Sequence, residues 1–191
     1  MLIRFVLENM FSFGERKEFT TMPNKRLKTL QEHKYNIDGF EILKLSSIYG
    51  ANGAGKSNLI KSLFQFQKLI TREEIPLRLK DTQYKFGNQK EQILALEFIQ
   101  DNTPLYYAMV LSEDKISTEE LYLSGLGQKE DKLIFERKTV GEETTIKFLD
   151  DFENDEKSQV LKTVLLEEFV KPNEPVLKLL SNRDNRFLKD V

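Results

Sequence analysis

Gly50-Ala51-Asn52-Gly53-Ala54-Gly55-Lys56-Ser57 is the stretch of this 191-residue chain that decides the predicted fold. The eight residues match the pattern G-x-x-x-x-G-K-[ST], which should arise by chance only on the order of once in a hundred chains of this length. Glycines in such a loop adopt positive φ and let phosphate oxygens approach the backbone. The stretch therefore predicts a loop that binds the phosphates of a nucleotide.

The residue types in the loop suit different parts of a nucleotide. Lys56 should reach the β- and γ-phosphates as a point charge, and the Ser57 hydroxyl should be a ligand of Mg²⁺. An alternative is a glycine-rich turn ahead of a core helix, with no ligand. The predicted nucleotide-binding residues are Gly50, Ala51, Asn52, Gly53, Ala54, Gly55, Lys56, Ser57 and Asn58.

The flanks of the loop fit the rule that a phosphate loop leaves a strand and opens a helix. Residues 42–49 form a short, mostly apolar run that ends at the first glycine. Downstream, apolar residues recur at helical spacing as far as Ile70, and no Gly or Pro occurs from Asn58 onward in this stretch. The sequence predicts a strand over 42–49 and a helix over 58–70.

Composition bears on the class and location of the protein. Hydrophobic residues make up 39% of the chain, and its apolar runs are far shorter than the ~20 residues that cross a bilayer, so no membrane partner is predicted. Residues 1–8 predict a first strand and not a signal peptide. The chain has no cysteine, which argues against secretion and against a zinc site. A cytoplasmic location is predicted.

Charge is distributed unevenly along the chain. Residues 1–80 carry 14 Lys and Arg against 8 Asp and Glu, whereas residues 81–191 carry 15 against 23. A basic tract near the N-terminus contains Arg16, Lys17, Lys25, Arg26, Lys28 and Lys34. It could contact DNA, but no aromatic residues are interleaved for base stacking, so a solvated loop is the favoured interpretation.

The remaining pattern predicts strands first and helices last. A turn at 9–14 and an extended piece through Thr20 follow the first strand, and residues 21–41 and 79–92 are predicted loops. Five β-like runs separated by turn residues predict an antiparallel meander over 93–99, 105–111, 116–123, 132–138 and 144–148. Apolar stripes predict one helix with its stripe from Val160 to Phe169 and a second from about Asn173 to Val191. The predicted division is a nucleotide-binding lobe over 1–150, with the phosphate loop at 50–57, and a helical segment over 151–191.

Three features together resemble the ABC-type ATPase heads of the SMC, RecF and OLD group. They are the N-terminal strand, the turn Asn-x-x-Ser-Phe at residues 9–13, and the glycine loop about fifty residues into the chain. More narrowly, residues 8–13 and 47–59 resemble the AAA ATPases of family fifteen, common in bacterial antiphage and abortive-infection systems. Met10 departs from that family, which usually has phenylalanine there. The resemblance covers the first seventy residues.

The resemblance implies an α/β P-loop NTPase fold of the ABC-ATPase type. Its parts would be a mixed sheet around the P-loop helix, an antiparallel β-meander and a C-terminal helical pair, with the turn at 9–13 beside the adenine or ribose. A second lobe should carry the Walker B strand and the signature motif, and we expect it beyond residue 191. Two internal stretches are poor Walker B candidates, because 146–151 is interrupted by lysine and 164–168 lies in a helical pattern. Residues 123–128 resemble the signature LSGGQ but precede a strand-like run, which favours a glycine-containing loop.

The resemblance favours an ATP-dependent head, of the kind found in bacterial antiphage defence, that binds ATP and Mg²⁺ and, in a complete protein, hydrolyses ATP and forms a homodimer around the nucleotide. A second hypothesis is a nucleotide-gated interaction module that holds an effector such as a nuclease, with little turnover. A third is a RecF- or SMC-like DNA repair or maintenance ATPase. The sequence assigns no catalytic residue. A GTPase is disfavoured because residues 24–27 lack the aspartate of [NT]-K-x-D.

Overall fold

The computed structural model describes residues 1–24, 26, 29–37, 39–71, 79–113, 115–148, 159–160, 163–164 and 170–181. Its strands are β1 (Leu2–Glu8), β2 (Lys17–Thr20), β3 (Lys34–Ile37), β4 (Phe40–Leu43), β5 (Glu91–Gln100), β6 (Thr103–Ser112), β7 (Lys115–Leu123), β8 (Lys132–Val140) and β9 (Glu143–Phe148). Its helices are α1 (Lys56–Thr71), the short α2 (Leu79–Thr82) and α3 (Val176–Ser181), and a 3₁₀ turn spans Gln31–His33.

Seven strands form one sheet in the order β2-β1-β5-β6-β7-β8-β9, and all neighbours are antiparallel. The predicted first strand and the five-strand meander are therefore confirmed. Asp101 and Asn102, with φ of 48° and 65°, form the two-residue turn between β5 and β6. Such turns need positive φ at both positions, which Asp and Asn tolerate better than most residues.

Helix α1 packs on one face of this sheet through a narrow buried stripe. Phe66 and Leu69 are almost fully buried. The Phe66 ring stacks on Tyr107 of β6 with centroids 5.7 Å apart and lies 6.2 Å from the Phe5 ring of β1. The predicted helix is confirmed. Its packing on β1 and β6 also sets the position of the glycine loop, which directly precedes the helix.

The predicted α/β P-loop fold, with a mixed sheet around the P-loop helix, is wrong for the described residues. The large sheet is entirely antiparallel, and the strand predicted over 42–49 ends at Leu43 as part of β4, which pairs only with β3. A parallel strand buried on both faces needs a nearly continuous apolar run. Lys44, Ser46 and Ser47 interrupt this one, and Tyr49 is 88% exposed. The strands over 93–148, which alternate apolar and polar residues, form the sheet together with β1 instead, because β1 pairs with β5.

Other predicted segments differ in detail. The connection predicted to be irregular over 21–41 contains β3, the start of β4 and the 3₁₀ turn. Of the predicted C-terminal helical pair, only residues 159–160 and 163–164 of the first helix, and α3 with the turn before it in the second, are described. The rest of that pair lies outside the described residues. No helix in the described part of the chain combines the length and the apolar character needed to cross a membrane.

A buried ionic cluster attaches α3 to the sheet. The Glu119 carboxylate accepts hydrogen bonds from the N–H groups of Val176 and Leu177 at 2.8 and 2.9 Å. It also accepts one from the Tyr107 hydroxyl at 2.8 Å, and it lies 3.5 Å from a guanidinium nitrogen of Arg137. Burial raises the pKa of Glu119 and lowers the pKa of Arg137. The carboxylate thus caps α3 on the helix-bearing face of the sheet.

Candidate phosphate-binding site

The loop of residues 50–55 is largely exposed and directly precedes α1, which begins at Lys56. Gly53 and Gly55 have φ of 80° and 91°, values that residues with a side chain rarely adopt. The backbone of the loop therefore depends on glycine at these two positions.

The Lys56 side chain is folded over this loop. Its ammonium donates hydrogen bonds to the carbonyl oxygens of Gly50 and Ala51, at 2.6 and 2.8 Å. Both acceptors are neutral carbonyl oxygens, whereas a phosphate oxygen carries a negative charge that adds Coulomb attraction to the hydrogen bond from the ammonium group. A phosphate group at the loop would therefore compete well for the Lys56 ammonium.

The start of α1 adds further groups that favour an anion. The helix has 16 residues, and the N–H groups of its first turn have no acceptor within the helix. These groups carry the positive end of the helix dipole. Ser57 is exposed and Asn58 is half-buried in this turn. The structure thus places the predicted residues 50–58 together as one loop and the first turn of the helix that follows.

The turn at 9–13 packs against the loop. A Cβ atom added at Gly55 would lie 3.2 Å from both the Phe13 Cζ and the Ser12 Oγ atoms. Phe11 has a φ of 52°, which is unusual for an aromatic residue, and both Phe11 and Phe13 are partly buried against the hydrophobic core. The turn therefore packs two aromatic side chains against the hydrophobic core and also lies beside the glycine loop. Its predicted position beside an adenine or ribose stays a prediction.

A cleft of about 470 Å³ opens next to the turn and the first turn of α1. Its lining combines three aromatic rings with polar and charged side chains. It is lined by Phe11, Ser12, Asn58, Asp81, Gln83, Tyr84, Lys85 and Phe86. Small-molecule sites have volumes of about 300–1,000 Å³ and a similar mixture of apolar surface and a few polar groups. The cleft is thus large enough for part of a nucleotide.

Backbone and ring contacts hold the far wall of this cleft in place. The N–H of Phe11 donates to the Thr82 carbonyl oxygen over 2.6 Å, and Asn9 Nδ2 donates to the carbonyl oxygens of Gln89 and Glu91 at 2.9 and 2.8 Å. The Tyr84 ring lies directly on the backbone of Gly14, because a Cβ atom added there would be 2.6 Å from Tyr84 Cε1. The wall is therefore fixed to the same turn that contacts the glycine loop.

The sequence pattern did not predict this wall, because 79–92 was predicted only as a loop. A signal was present in Tyr84-Lys85-Phe86-Gly87, where two aromatic residues precede a glycine in a polar stretch. The spacing alone could not show that a segment some thirty residues after the loop returns to it. That return is set by the pairing of β5 with β1, which brings Ile93 opposite Glu8.

The residue predicted to bind Mg²⁺ is Ser57, whose side chain offers a hydroxyl oxygen and no carboxylate. Ser57 is exposed in the first turn of α1, and Mg²⁺ is commonly held by few protein oxygens together with phosphate oxygens and water. Among the described residues, no group of three or more His, Cys, Asp or Glu side chains could hold a metal ion alone. The residues present therefore fit a magnesium ion only as a partner of bound phosphate.

The internal stretches that were compared with a Walker B strand and with the signature motif do not adjoin the glycine loop where they are described. Residues 146–148 belong to β9, at the opposite edge of the sheet and five strands from β1, or about 24 Å at the usual strand spacing. Asp150 and Asp151, and residues 165–168, are outside the described residues. Residues 124–131 connect β7 to β8 as a turn in which the Asp131 side chain accepts a hydrogen bond from the Gly125 N–H at 2.8 Å. The interpretation of 123–128 as a glycine-containing loop between strands is confirmed.

No protein-family model and no curated protein matches the chain. The resemblance to ATPases of family fifteen therefore stays a prediction from the residues of the turn and the loop.

Proposed function

We propose that this chain binds ATP together with Mg²⁺ through the glycine loop and the first turn of α1. The observation that carries the proposal is the Lys56 ammonium, which lies over the loop within 2.8 Å of two of its carbonyl oxygens. The positive φ values at Gly53 and Gly55 and the helix start supply the supporting geometry. The identity of the nucleotide comes from the sequence resemblance.

Binding replaces two neutral acceptors of Lys56 by phosphate oxygens. The ammonium group leaves the carbonyl oxygens of Gly50 and Ala51, and the phosphate gains a charge-assisted hydrogen bond. First-turn N–H groups donate to other oxygens of the same phosphate chain. Magnesium, when bound, screens the negative charge of the phosphates, and Ser57 supplies one of its oxygen ligands.

The first test is Lys56→Ala. Loss of a charge-assisted contact should weaken ATP binding by roughly 1.5–3 kcal/mol, about ten- to a hundredfold in Kd. Titration calorimetry with ATP and Mg²⁺ measures this change. Lys61→Ala is the matched control, because Lys61 is an exposed lysine farther along the same helix and should leave the affinity unchanged. Equal ATP affinities for Lys56→Ala and the parent chain would refute the proposal.

The second test concerns the metal. Ser57→Ala removes the proposed Mg²⁺ ligand, so ATP binding should gain less from added Mg²⁺ than in the parent chain. Titrating ATP binding against Mg²⁺ concentration measures that gain. Ser47→Ala, at an exposed serine upstream of the loop, should behave as the parent does. Identical magnesium dependence in Ser57→Ala and the parent would remove Ser57 from the site.

A further inference from the structure

We propose that the cleft lined by Phe11, Tyr84 and Phe86 is a base subsite, in which a purine ring of the bound nucleotide stacks on Phe86. This inference rests on the proposed function, because the phosphates must first be held at the glycine loop. It assigns a role to residues 81–86, which lie after α1 and outside the motif that predicts nucleotide binding.

The cleft is continuous with the phosphate-binding loop. Ser12 lines the cleft, and its Oγ atom lies 3.2 Å from the position of a Cβ atom on Gly55. Asn58 also lines it and follows Lys56 by two residues, about 3 Å along the axis of α1. A ligand whose phosphates contact Lys56 therefore has the mouth of the cleft within reach.

The ring of Phe86 has the exposure expected of a stacking platform. It is 89% exposed, so it contributes little to the core. The neighbouring Tyr84 ring meets it edge to face, with centroids 5.8 Å apart and an interplanar angle of 65°. Tyr84 is itself fixed between the backbones of Gly14 and Gly87, where added Cβ atoms would lie 2.6 and 3.2 Å from its ring. Phe86 thus has support from Tyr84 and open ring surface.

The segment that carries Phe86 is held in place by a side-chain amide. The Gln83 side-chain amide donates to the carbonyl oxygens of Gln89 and Lys90, at 2.7 and 3.3 Å, and so holds the segment in place. Aromatic stacking is tolerant of base identity but increases with stacked area. A purine nucleotide should therefore bind more tightly than a pyrimidine nucleotide.

The test compares ATP, CTP and inorganic tripolyphosphate, each with Mg²⁺, by calorimetry on the full chain. In the parent chain, ATP should bind about ten- to a hundredfold more tightly than tripolyphosphate, with CTP between them. Phe86→Ala should remove most of the advantage of ATP and leave tripolyphosphate binding unchanged. Phe86→Tyr, which keeps an aromatic face, should retain the advantage.

Tyr49→Ala is the matched control, because Tyr49 is 88% exposed and directly precedes the glycine loop. It should leave the difference between ATP and tripolyphosphate intact. If Tyr49→Ala removes that difference and Phe86→Ala does not, the base subsite is elsewhere. Melting temperatures should match the parent for both variants, because both rings are exposed.

The outcomes separate this inference from the proposed function. Tripolyphosphate binding that depends on Lys56, together with equal affinities for ATP and tripolyphosphate, would overturn the base subsite and leave phosphate binding in place. Absence of both tripolyphosphate and ATP binding would overturn the proposed function itself, and the base subsite with it.

Discussion

At the scale of single residues, Gly55 joins two parts of the candidate site. Its φ of 91° is a conformation that alanine adopts only with strain, and an added Cβ atom would lie 3.2 Å from both Phe13 Cζ and Ser12 Oγ. Gly55→Ala should therefore lower the free energy of unfolding by about 1–3 kcal/mol and weaken ATP binding as well. Denaturant unfolding and calorimetry measure the two effects.

Gly53→Ala separates backbone strain from the contact with the turn. Gly53 has a similar φ of 80°, but a Cβ atom there would have no atom within 4 Å. Its variant should show the strain alone and be destabilised less than Gly55→Ala. Adding Phe13→Leu to Gly55→Ala, which shortens the opposing side chain, should recover part of the loss. If the two glycine variants are equally destabilised, the turn does not support the loop.

At the scale of elements, the attachment of α3 depends on a buried carboxylate and a buried guanidinium group. Arg137 is fully buried and donates to the carbonyl oxygens of Glu174 and Lys171, at 2.7 and 2.9 Å. Glu119→Ala would leave this cation without its counterion and the start of α3 without its cap. The expected loss of stability is about 3–5 kcal/mol, as for other broken buried ion pairs, and denaturant unfolding measures it.

Replacing both charges should not restore stability in this protein. A buried ion pair exchanged for apolar residues is often neutral. Here, Glu119→Leu combined with Arg137→Met also removes the partners of the Val176 and Leu177 N–H groups and of the Glu174 carbonyl oxygen, each worth about 1–3 kcal/mol if left buried. Hydrogen exchange should show lost protection at 176–181 in the double variant. Parent-like protection there would show that apolar packing alone holds α3.

The strands and helices show which parts of the fold can be predicted from local sequence patterns. Alternation and turn residues sufficed for the meander, and the spacing of apolar residues sufficed for α1, because both signals are local. The strand predicted over 42–49 ends at Leu43, because the apolar residues beyond it, Leu45, Ile48 and Tyr49, are exposed and have no sheet partner among the described residues. Arg137 and Glu119 look like surface charges in the sequence, because their burial depends on a segment that is 34 and 37 residues from Arg137 and 57 and 58 residues from Glu119.

At the scale of the whole molecule, the candidate site is assembled from three separate stretches of chain. The turn at 9–13 follows β1, the glycine loop precedes α1, and residues 81–86 precede β5. Pairing of β1 with β5 brings the first and third stretches together, and packing of Phe66 between Phe5 and Tyr107 brings α1 to them. The antiparallel sheet therefore positions the loop without the strand that the sequence predicted over 42–49.

This arrangement predicts ATP binding with very little hydrolysis, and no ATP-dependent dimer of this chain. Phosphoryl transfer needs bound Mg²⁺, an oriented water molecule and charge stabilisation around the γ-phosphate. The described residues supply Lys56 and Ser57 at the loop, and the cleft lining contains one carboxylate, Asp81. Further stabilising groups would each contribute on the order of a hundredfold in rate or more, so with the groups of the described residues alone phosphate release should stay near the uncatalysed background.

Steady-state phosphate release, with Lys56→Ala as the blank, and sedimentation with and without ATP and Mg²⁺ test this prediction together. A monomer that binds ATP and does not turn it over is the expected result. Turnover of about one per second that disappears in Lys56→Ala would show that a catalytic carboxylate is present. Asp81→Asn would then be the first variant to measure, because Asp81 lines the cleft beside Asn58, and Asp150→Asn and Asp151→Asn would follow. Loss of turnover in Asp81→Asn with unchanged ATP affinity would assign it a role in hydrolysis, since a residue needed only for binding would change the affinity as well.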